Sequence, residues 1–439
     1  MNRVLIVSPH FPPLNGADMQ RVRMSLPYFR ECGWEPSVLS VAPGAGDVIE
    51  PLLSESVPPD TLVERVPSIP LSLTRLLGVS DRALRALPFL YSAGSRLLAA
   101  RNFDLVYFST TLFLAMPLGR LWKRKFGTPY VLDIQDPWLS DYYEKNLTAE
   151  RPPKYRIARG AHGVLEPWTM KKTDGIIAVS ADYIETLRRR YPWLQDTPCA
   201  TLPFGASAAD FTLLDRHPQA NRHFAPGDGR AHGVYAGRGG SDLSTALDIL
   251  FGALRSGLEL RPDVFDRVKL HFVGTDYAKD GRAKKTITPA AERAGLTARV
   301  SEDTTRLPYF EALQLLKDSN FLLVVGSDDP AYTASKIYPY ILARKPLLAI
   351  VHERSPLVAV LRETRAATTV VTFSSACDDA EKTAAAACLT ASWGAMLEAA
   401  PRAPDTDWAR FERYTAREMT RRQCELFDRV LARRSAAAA

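Results

Sequence analysis

The chain has 439 residues, of which 46% are hydrophobic and 24% charged, and it carries a formal charge of +7. These fractions exclude a disordered, collagen-like or coiled-coil protein, and the length favours two large α/β domains. The charge suits an anionic ligand or a membrane surface, but equally an ordinary solvated exterior. Because no zinc-finger or RNP-type motif accompanies it, we expect no nucleic-acid partner. The five cysteines are scattered and form no Cys-x-x-Cys pair, which is typical of a reducing compartment.

The first third alternates short apolar runs with helix-length segments. Residues 4–8 are too short for a signal peptide and predict a buried first strand. A helix is predicted over residues 17–32, kinked at Pro27 and ended by Gly33. Further apolar runs, typical of a parallel sheet covered on both faces, are residues 36–41, 104–109, 129–133 and 175–180. The longest uncharged stretch, residues 105–119, falls short of the roughly 20 residues of a spanning helix, so we expect a soluble, cytoplasmic protein.

A second region repeats the pattern after residues 203–229, a stretch rich in Pro, Gly, Asp and His that predicts an interdomain linker. The predicted strands of this region are residues 233–237, 268–273, 321–325 and 346–351. Beyond Asp405 the apolar residues keep mostly helical spacing. The sequence thus predicts an α/β fold of two doubly wound, Rossmann-like domains facing a cleft, spanning residues 1–205 and 206–404, followed by a C-terminal helix over 405–439.

Polar residues follow two of the strands predicted in the first domain. Gly16 lies where a strand meets a helix, so that backbone amides could approach a phosphate or sugar, although Asn15-Gly16 also suits a plain tight turn. Asp133 ends the strand at 129–133 and Asp136 follows three residues later, at the end of a parallel strand where α/β sheets place ligands. Asp133 also suits a turn cap, whereas Asp136 is better placed to face a cleft, with Trp138 as a flat wall for a sugar.

Two further positions indicate an anion site in the second domain. Gly237 and Arg238 lie in a glycine-rich turn between strand and helix, and a guanidinium forks onto two phosphate oxygens. Lys336 lies near the start of a helix, where a lysine is unfavourable unless an anion offsets it. A lysine extended along the surface is the alternative for that residue. The histidines form no His-x-x-x-His pair and no Gly-x-Ser-x-Gly elbow occurs, so we expect no metal and no hydrolase triad.

These segments together resemble the GT-B glycosyltransferases of the retaining, family-4-like kind that bacteria use in surface-polysaccharide biosynthesis. The segments that carry the resemblance are VLIVSPHFPPLNGADMQRVRM, FDLVYFST, TPYVLDIQDPW, TDGIIAVSADYIETLRRRYP, VYAGRGG, LHFVGT and SKIYPYILARKPLLAI. The resemblance implies an N-terminal acceptor domain, a C-terminal nucleotide-sugar domain and a final helix that packs back on the N-terminal domain. It also implies that basic side chains, rather than a metal or another cofactor, neutralise the leaving diphosphate.

Carried over by motif, the resemblance assigns two sets of residues. Asp136 and Asp133 would be catalytic residues on the acceptor side. The donor contacts would be Gly16, Gly237, Arg238, Ser335, Lys336 and Tyr338. The chain departs from the family pattern at its Glu-x₇-Glu pair, which falls at Ala331 and Pro339, and Arg344 replaces a glycine. Asp328 and Asp329 are candidate substitutes.

The expected function is transfer of a sugar from a nucleotide-diphosphate sugar to a glycan or lipid-linked acceptor. Because the glutamate pair is missing, a non-catalytic GT-B subunit that binds sugar nucleotide or glycan and scaffolds a partner is the alternative. A GT-B epimerase would need acid/base carboxylates around the diphosphate, which the sequence does not show. Residues 65–101 hold six Arg and one Asp among many leucines, so they suit either peripheral contact with an anionic bilayer or a helix pair covering the sheet.

Overall fold

In the computed structural model the chain forms two compact units, each an α/β layer structure as the sequence predicts. The first unit contains residues 1–205 and 414–439, and the second contains residues 206–413. The structure describes the chain except for residues 46, 76–77, 140–154, 277–282, 331–335, 401 and 439.

The first unit is built on seven parallel strands in the order β3-β2-β1-β4-β5-β6-β7. The strands are β1 (Asn2–Val7), β2 (Trp34–Val41), β3 (Leu62–Val66), β4 (Leu105–Ser109), β5 (Tyr130–Ile134), β6 (Gly175–Ala178) and β7 (Cys199–Thr201). The helices are α1 (Gln20–Ser25), α2 (Leu52–Glu55), α3 (Leu71–Thr74), α4 (Arg82–Ala100), α5 (Pro117–Phe126), α6 (Tyr155–Met170) and α7 (Ala181–Arg190). Every residue of β4 and β5 is buried, which is why these strands are continuous apolar runs in the sequence.

The second unit has six parallel strands in the order β10-β9-β8-β11-β12-β13. They are β8 (Ala231–Ala236), β9 (Val268–Val273), β10 (Val300–Asp303), β11 (Phe321–Val325), β12 (Leu347–His352) and β13 (Thr369–Phe373). Its helices are α8 (Ala208–Arg216), α9 (Ser244–Leu260), α10 (Pro262–Phe265), α11 (Thr288–Arg293), α12 (Tyr309–Asp318), α13 (Ile337–Leu342), α14 (Pro356–Thr364), α15 (Asp379–Glu398) and α16 (Trp408–Phe411). Helices α9 and α15 pack side by side over an apolar core that includes Phe265, Phe272 and Trp393.

The last helix, α17 (Ala416–Ala438), packs in the first unit. Its Phe427 ring lies 5.2 Å from the rings of both Trp34 and Tyr107, and the Trp34 indole N–H donates to Asp428 at 3.0 Å. Residues 405–413, which the sequence analysis grouped with this helix, belong to the second unit instead. There the Phe411 ring lies 6.5 Å from that of Tyr338.

Two local predictions have clear outcomes. Pro27 does end regular α-helix, because α1 stops at Ser25 and two short 3₁₀ turns lead to Gly33, whose φ of 80° is left-handed. The predicted linker over 203–229 is partly wrong, because it contains α8. That helix is held to α12 by a 2.7 Å hydrogen bond from Tyr309 Oη to Asp210. The polar composition of this stretch therefore reflects a helix on the surface as well as a linker between the units.

The basic, leucine-rich segment lies in the first unit as α3 and α4. Residues such as Ala86, Leu90 and Leu97 of α4 are buried against the sheet, whereas Leu73 and Phe89 are 65% and 37% exposed. Leu76 and Leu77 lie outside the described residues. None of the helices in the described part of the chain is long and apolar enough to cross a membrane.

Candidate functional site

The winding of the first sheet reverses between β1 and β4, and ligands of doubly wound folds bind at the carboxyl ends of such strands. Val7 of β1 pairs with Phe108 of β4, which pairs with Leu132 of β5, so the three strands end at one edge. The loops that leave this edge carry His10 and Asp18 after β1, Thr110 after β4, and Asp136 after β5.

Asp133 lies at this edge but is not exposed there, contrary to the expectation from the sequence. Its side chain is completely buried, and its Oδ2 accepts hydrogen bonds from Arg21 Nε at 2.7 Å, Ser109 Oγ at 2.8 Å and Gln135 Nε2 at 2.9 Å. Arg21 also donates to the carbonyl of Leu202 at 2.6 Å. A buried carboxylate needs such a partner, because leaving it unpaired costs several kcal/mol. The predicted catalytic role of Asp133 is therefore corrected: the residue ties α1 to β5 and is out of reach of a substrate.

Asp136 is exposed, as expected of a residue that meets a ligand. Its pKa is raised, first because surrounding protein removes part of its hydration and second because Asp18 carries a like charge nearby. A reachable carboxylate that holds its proton more readily than an ordinary aspartate suits acid–base work. Its catalytic role stays a prediction.

Trp138 was expected to offer a flat wall to a sugar, and the structure places it differently. The side chain is only 6% exposed. Its ring stacks on Phe113 at 5.4 Å and meets the edge of His162 at 6.3 Å. Trp138 thus fills the core beneath the loop after β5, where its apolar area contributes to stability rather than to sugar contact.

A histidine–aspartate pair that the sequence analysis did not assign lies at the same edge. His10 Nδ1 is 2.9 Å from Asp18 Oδ1, and the other carboxylate oxygen accepts from Thr110 Oγ1 at 2.8 Å and from the Thr111 amide at 3.3 Å. Burial alone would raise the pKa of Asp18, but the hydrogen bonds and charge of these neighbours lower it. Asp18 is thus an ionised carboxylate that holds the imidazole in place. The signal that could have found the pair is a histidine shortly after the first buried strand and an aspartate later in the same loop.

Gly16 lies against this pair. A Cβ at this position would come within 2.9 Å of Asp18 Oδ1, closer than Cβ atoms approach other groups, and within a tight 3.1 Å of His10 Cβ. The absence of a side chain therefore lets the loop fold over the His10–Asp18 contact. Its predicted contact with a donor stays a prediction.

The second sheet reverses between β8 and β11, and the glycine-rich turn follows β8. Three of its amides donate within the protein and are not free to bind a phosphate. These donors are Gly237 to the Val273 carbonyl at 3.0 Å, Gly239 to the Thr275 carbonyl at 2.7 Å, and Gly240 to Thr286 Oγ1 at 3.1 Å. These three amides are therefore occupied within the protein, and the predicted donor contact of Gly237 stays a prediction.

Arg238 is paired within its own turn. Its two terminal nitrogens donate to the two carboxylate oxygens of Asp242 at 2.9 and 2.6 Å, and Ser327 Oγ donates to the same carboxylate at 2.6 Å. The Arg238 and Asp242 side chains remain 28% and 37% exposed, so the pair is accessible from solvent. Arg238 thus brings less net charge to this edge than a free guanidinium would.

Lys336 immediately precedes α13 and is partly buried. Its pKa is lowered to about 8, first by burial and then by the positive charges of Arg306 and Arg238. Among the described residues no carboxylate forms an ion pair with its Nζ. Lys336, Arg306 and Arg238 thus lie together at the edge of the second sheet, and Asp242 pairs with Arg238. A local excess of positive charge of this kind is typical of an anion site.

The remaining residues predicted to contact the donor are either buried or outside the described residues. Tyr338 is 3% exposed and packs α13 near Phe411. Ser335 and Ala331 lie outside the described residues. Pro339, at the expected second glutamate position, lies on α13 and has no side-chain oxygen to offer.

Asp328, a candidate substitute for that pair, lies beside the turn. Its backbone amide donates to the Asp242 carbonyl at 2.7 Å, and its Oδ2 accepts from Ser244 Oγ at 3.2 Å. Its Oδ1 is buried and has no hydrogen-bond partner among the described residues. A buried oxygen without a partner is costly unless a ligand supplies a donor. No group of three or more His, Cys, Asp or Glu in the described parts of the chain could hold a metal.

Comparison with known protein families and solved structures identifies the fold that carries this site. Residues 20–205 match the family model described as Glycosyl transferase 4-like domain. A trehalose-phosphate synthase from Burkholderia vietnamiensis is 16% identical, with a TM-score of 0.57 over 100% of this chain and 99% of that one. The chain has the GT-B fold of glycosyltransferases. Sucrose-phosphate synthase from Thermosynechococcus elongatus is 15% identical, with a TM-score of 0.53 over 100% and 98%. Anabaena HepE in complex with UDP is 16% identical, with a TM-score of 0.52 over 98% and 100%.

No curated protein sequence matches the chain. The family match of this GT-B chain lies in its first unit and includes Arg21, Asp133 and Asp136, whereas His10 and Asp18 precede it. For the second unit the solved structures show only that the fold is shared. The roles of its residues are therefore inferred from the chemistry of Lys336 and its neighbours.

Proposed function

We propose that this protein is a glycosyltransferase that moves a sugar, with retention, from a nucleotide-diphosphate sugar to a glycan or lipid-linked acceptor in surface-polysaccharide biosynthesis. The observation that carries the proposal is Lys336, a partly buried cation beside Arg238 and Arg306 with no carboxylate paired to it in the described structure. Such a cluster offsets the charge that develops on a leaving diphosphate. UDP and UDP-glucose are bound in structures of HepE, which shares this fold.

On the donor side, Lys336 and Arg306 supply charge for the diphosphate. Arg238 contacts the diphosphate with the exposed side of its guanidinium, while Asp242 holds that guanidinium in place. Asp328 Oδ1, buried and without a hydrogen-bond partner, accepts from a donor hydroxyl in place of the missing glutamate. No metal or other cofactor is required in this scheme.

On the acceptor side, Asp136 carries the proposal. Asp136→Asn removes the titrating group while keeping its size, so we expect transfer to be lost and nucleotide binding to remain. Loss of nucleotide affinity with unchanged turnover would reverse the assignment of the two units.

The direct test combines binding and turnover. A thermal-shift panel of nucleotide diphosphates and sugar nucleotides finds the donor, since a ligand at 100 times its Kd stabilises by about 2.7 kcal/mol. The donor is then incubated alone and with glycan or lipid-linked acceptors, and the anomeric configuration of any product is read by NMR. Slow donor hydrolysis without acceptor, or transfer with it, supports an enzyme.

A non-catalytic GT-B subunit is the second candidate, and the missing glutamate pair at Ala331 and Pro339 favours it. Binding of sugar nucleotide with no hydrolysis and no transfer would establish that alternative. No binding by any member of the panel would contradict both.

Peripheral contact with the inner face of the membrane is part of the proposal. Leu71 and Leu73 of α3 are exposed, as are Leu84 and Phe89 of α4. Several arginines of the segment are already engaged within the protein, for instance Arg96 with Glu64. Flotation with anionic vesicles tests the idea, and absence of salt-sensitive binding would refute it.

A further inference from the structure

The glycine-rich turn that carries Arg238 depends on a buried carboxylate at the edge of the same sheet. Glu302 of β10 is 9% exposed, and its two oxygens accept five hydrogen bonds from residues before and after the 276–285 segment. We propose that Glu302 is a positioning residue of the donor site, fixing Arg238 through Thr275 and Thr286. This role rests on the proposed binding of a nucleotide-sugar donor and adds to it the group that sets the geometry of the site.

The carboxylate of Glu302 holds the chain on both sides of that segment. Its Oε1 accepts from Thr275 Oγ1 at 2.8 Å and from the Thr286 amide at 3.1 Å. Its Oε2 accepts from the amides of Ile287 and Thr288 at 3.2 and 2.7 Å and from Thr288 Oγ1 at 2.8 Å. Burial alone would raise the pKa of Glu302, but these hydrogen bonds lower it below its usual value. The ionised carboxylate is thus fully engaged within the protein, and it acts on the site through its partners.

The two threonines that Glu302 holds bind the glycine-rich turn directly. The Gly239 amide donates to the Thr275 carbonyl at 2.7 Å. The Gly240 amide donates to Thr286 Oγ1 at 3.1 Å. A Cβ at Gly239 would overlap Thr286 Oγ1, so the turn and the threonine are in close contact with no room for a side chain between them. A displacement of either threonine therefore displaces the turn.

The turn in its place sets the position of the Arg238 guanidinium. Gly240 lies directly against the Arg238–Asp242 pair, because a Cβ there would overlap Asp242 Oδ1 and come within 2.9 Å of Arg238 Nη1. The Arg238 carbonyl also accepts from Tyr235 Oη at 2.8 Å. Arg238 contributes to lowering the pKa of Lys336, so the two cations interact. A shift of the turn would therefore change how both cations meet a diphosphate.

A purely structural role for the carboxylate explains only part of this network. A carboxylate at the start of a helix stabilises that helix, because it accepts from amides that are left unpaired there. Such capping accounts for the contacts of Ile287 and Thr288, since α11 begins at these residues. It does not account for the hydrogen bond from Thr275, or for the use of the Thr286 hydroxyl by the turn. The contacts outside the cap are the ones that lead to the donor site.

The experiment measures, by calorimetry, affinity for the nucleotide diphosphate that stabilises wild type most in the thermal-shift panel. Glu302→Gln keeps the side-chain size but turns an NH₂ group toward these donors, so we expect affinity to fall about 10-fold. Thr286→Val removes the acceptor of the Gly240 amide and keeps the backbone contacts of Glu302, so we expect a smaller fall of about 3-fold. In an Arg238→Ala background neither substitution should lower affinity further, because both act through Arg238.

Asp210→Asn, which changes another buried acid of the second unit, is the matched control. It should lower resistance to urea and leave nucleotide affinity unchanged, and a merely structural Glu302 would behave in the same way. Full affinity in Glu302→Gln or, should that variant not fold, in Thr286→Val would overturn the positioning role alone. Losses that add to that of Arg238→Ala would overturn it as well. Wild type that binds no nucleotide diphosphate would instead overturn the proposed function.

Discussion

Each unit has an ion pair at the carboxyl ends of its strands, but the two pairs differ in how far their charges are exposed to solvent. In the first unit the Arg21–Asp133 pair is almost fully buried, with side-chain exposures of 3% and 0%. In the second unit the Arg238–Asp242 pair is 28% and 37% exposed, and a second cation, Lys336, lies close to it. The first pair therefore contributes to the fold, whereas the second edge keeps charge available for a ligand.

The largest expected effect comes from breaking the buried pair. Arg21→Met leaves Asp133 as a buried charge, so we expect the free energy of unfolding to fall by about 3–5 kcal/mol. Asp242→Asn in the exposed pair should cost less than about 1 kcal/mol. Urea denaturation of both variants measures the contrast, and equal losses would show that burial does not separate the two pairs.

Next in size is the loss of donor affinity. Each charge-assisted contact to a diphosphate is expected to contribute about 2–4 kcal/mol, or roughly 30- to 1000-fold in affinity. Lys336→Met should therefore lose most nucleotide-diphosphate binding by calorimetry. Lys345→Met, a partly buried lysine beyond the other end of α13, is the matched control and should bind normally. Similar affinity in the two variants would remove Lys336 from the donor site.

Without ligand, replacing Lys336 should be favourable, because it should raise the free energy of unfolding. The folded-state pKa of Lys336 is about 8, below the ordinary 10.5, so charging it destabilises the fold. At pH 7 that cost is fully present, and Lys336→Met should unfold about 2–3 kcal/mol less readily than wild type. The unfolded chain binds more protons between pH 8 and 10.5, so wild type should gain stability there until the difference disappears. A difference independent of pH would contradict the assignment.

The smallest effect concerns Arg344, which stands where the family pattern has glycine. Its φ of 55° is left-handed, and its guanidinium lies 4.6 Å from the centre of the Trp408 ring. Arg344→Gly relieves backbone strain of about 1 kcal/mol but loses a cation–π contact of about 0.5–1 kcal/mol. We therefore expect a change within about 0.5 kcal/mol by thermal unfolding. Arg344→Ala, which keeps the strain and loses the contact, should be clearly less stable.

The sequence predicted central strands well and edge strands poorly. β11 is five apolar residues buried on both faces, and that pattern is visible in any single sequence. β3 and β13 lie at sheet edges and mix polar with apolar residues, so they lack the continuous apolar run by which the central strands are found. Their pairing partners, which the linear sequence does not reveal, decide their structure.

For the candidate site, the sequence located the ends of the central strands and the loops that follow them, but it could not tell which polar groups are occupied. Arg21 lies 112 residues from Asp133, and that separation hides a partner that removes a carboxylate from solvent. Gly237 and Arg238 likewise looked free, although their acceptors are a carbonyl of β9 and the side chain of Asp242 in the turn before α9. Composition around a strand end identifies a possible site, and only the hydrogen-bond partners show which groups remain for a ligand.

The return of α17 to the first unit has a consequence for synthesis of the protein on the ribosome. Trp34 and Tyr107 are translated early, but the helix that covers them with Phe427 emerges only after the whole second unit, residues 206–413. At about 5–20 residues per second those 208 residues take roughly 10–40 seconds. Throughout that interval an aromatic face of the nascent first unit has no intramolecular cover. The second unit is one uninterrupted stretch of chain and has no such wait.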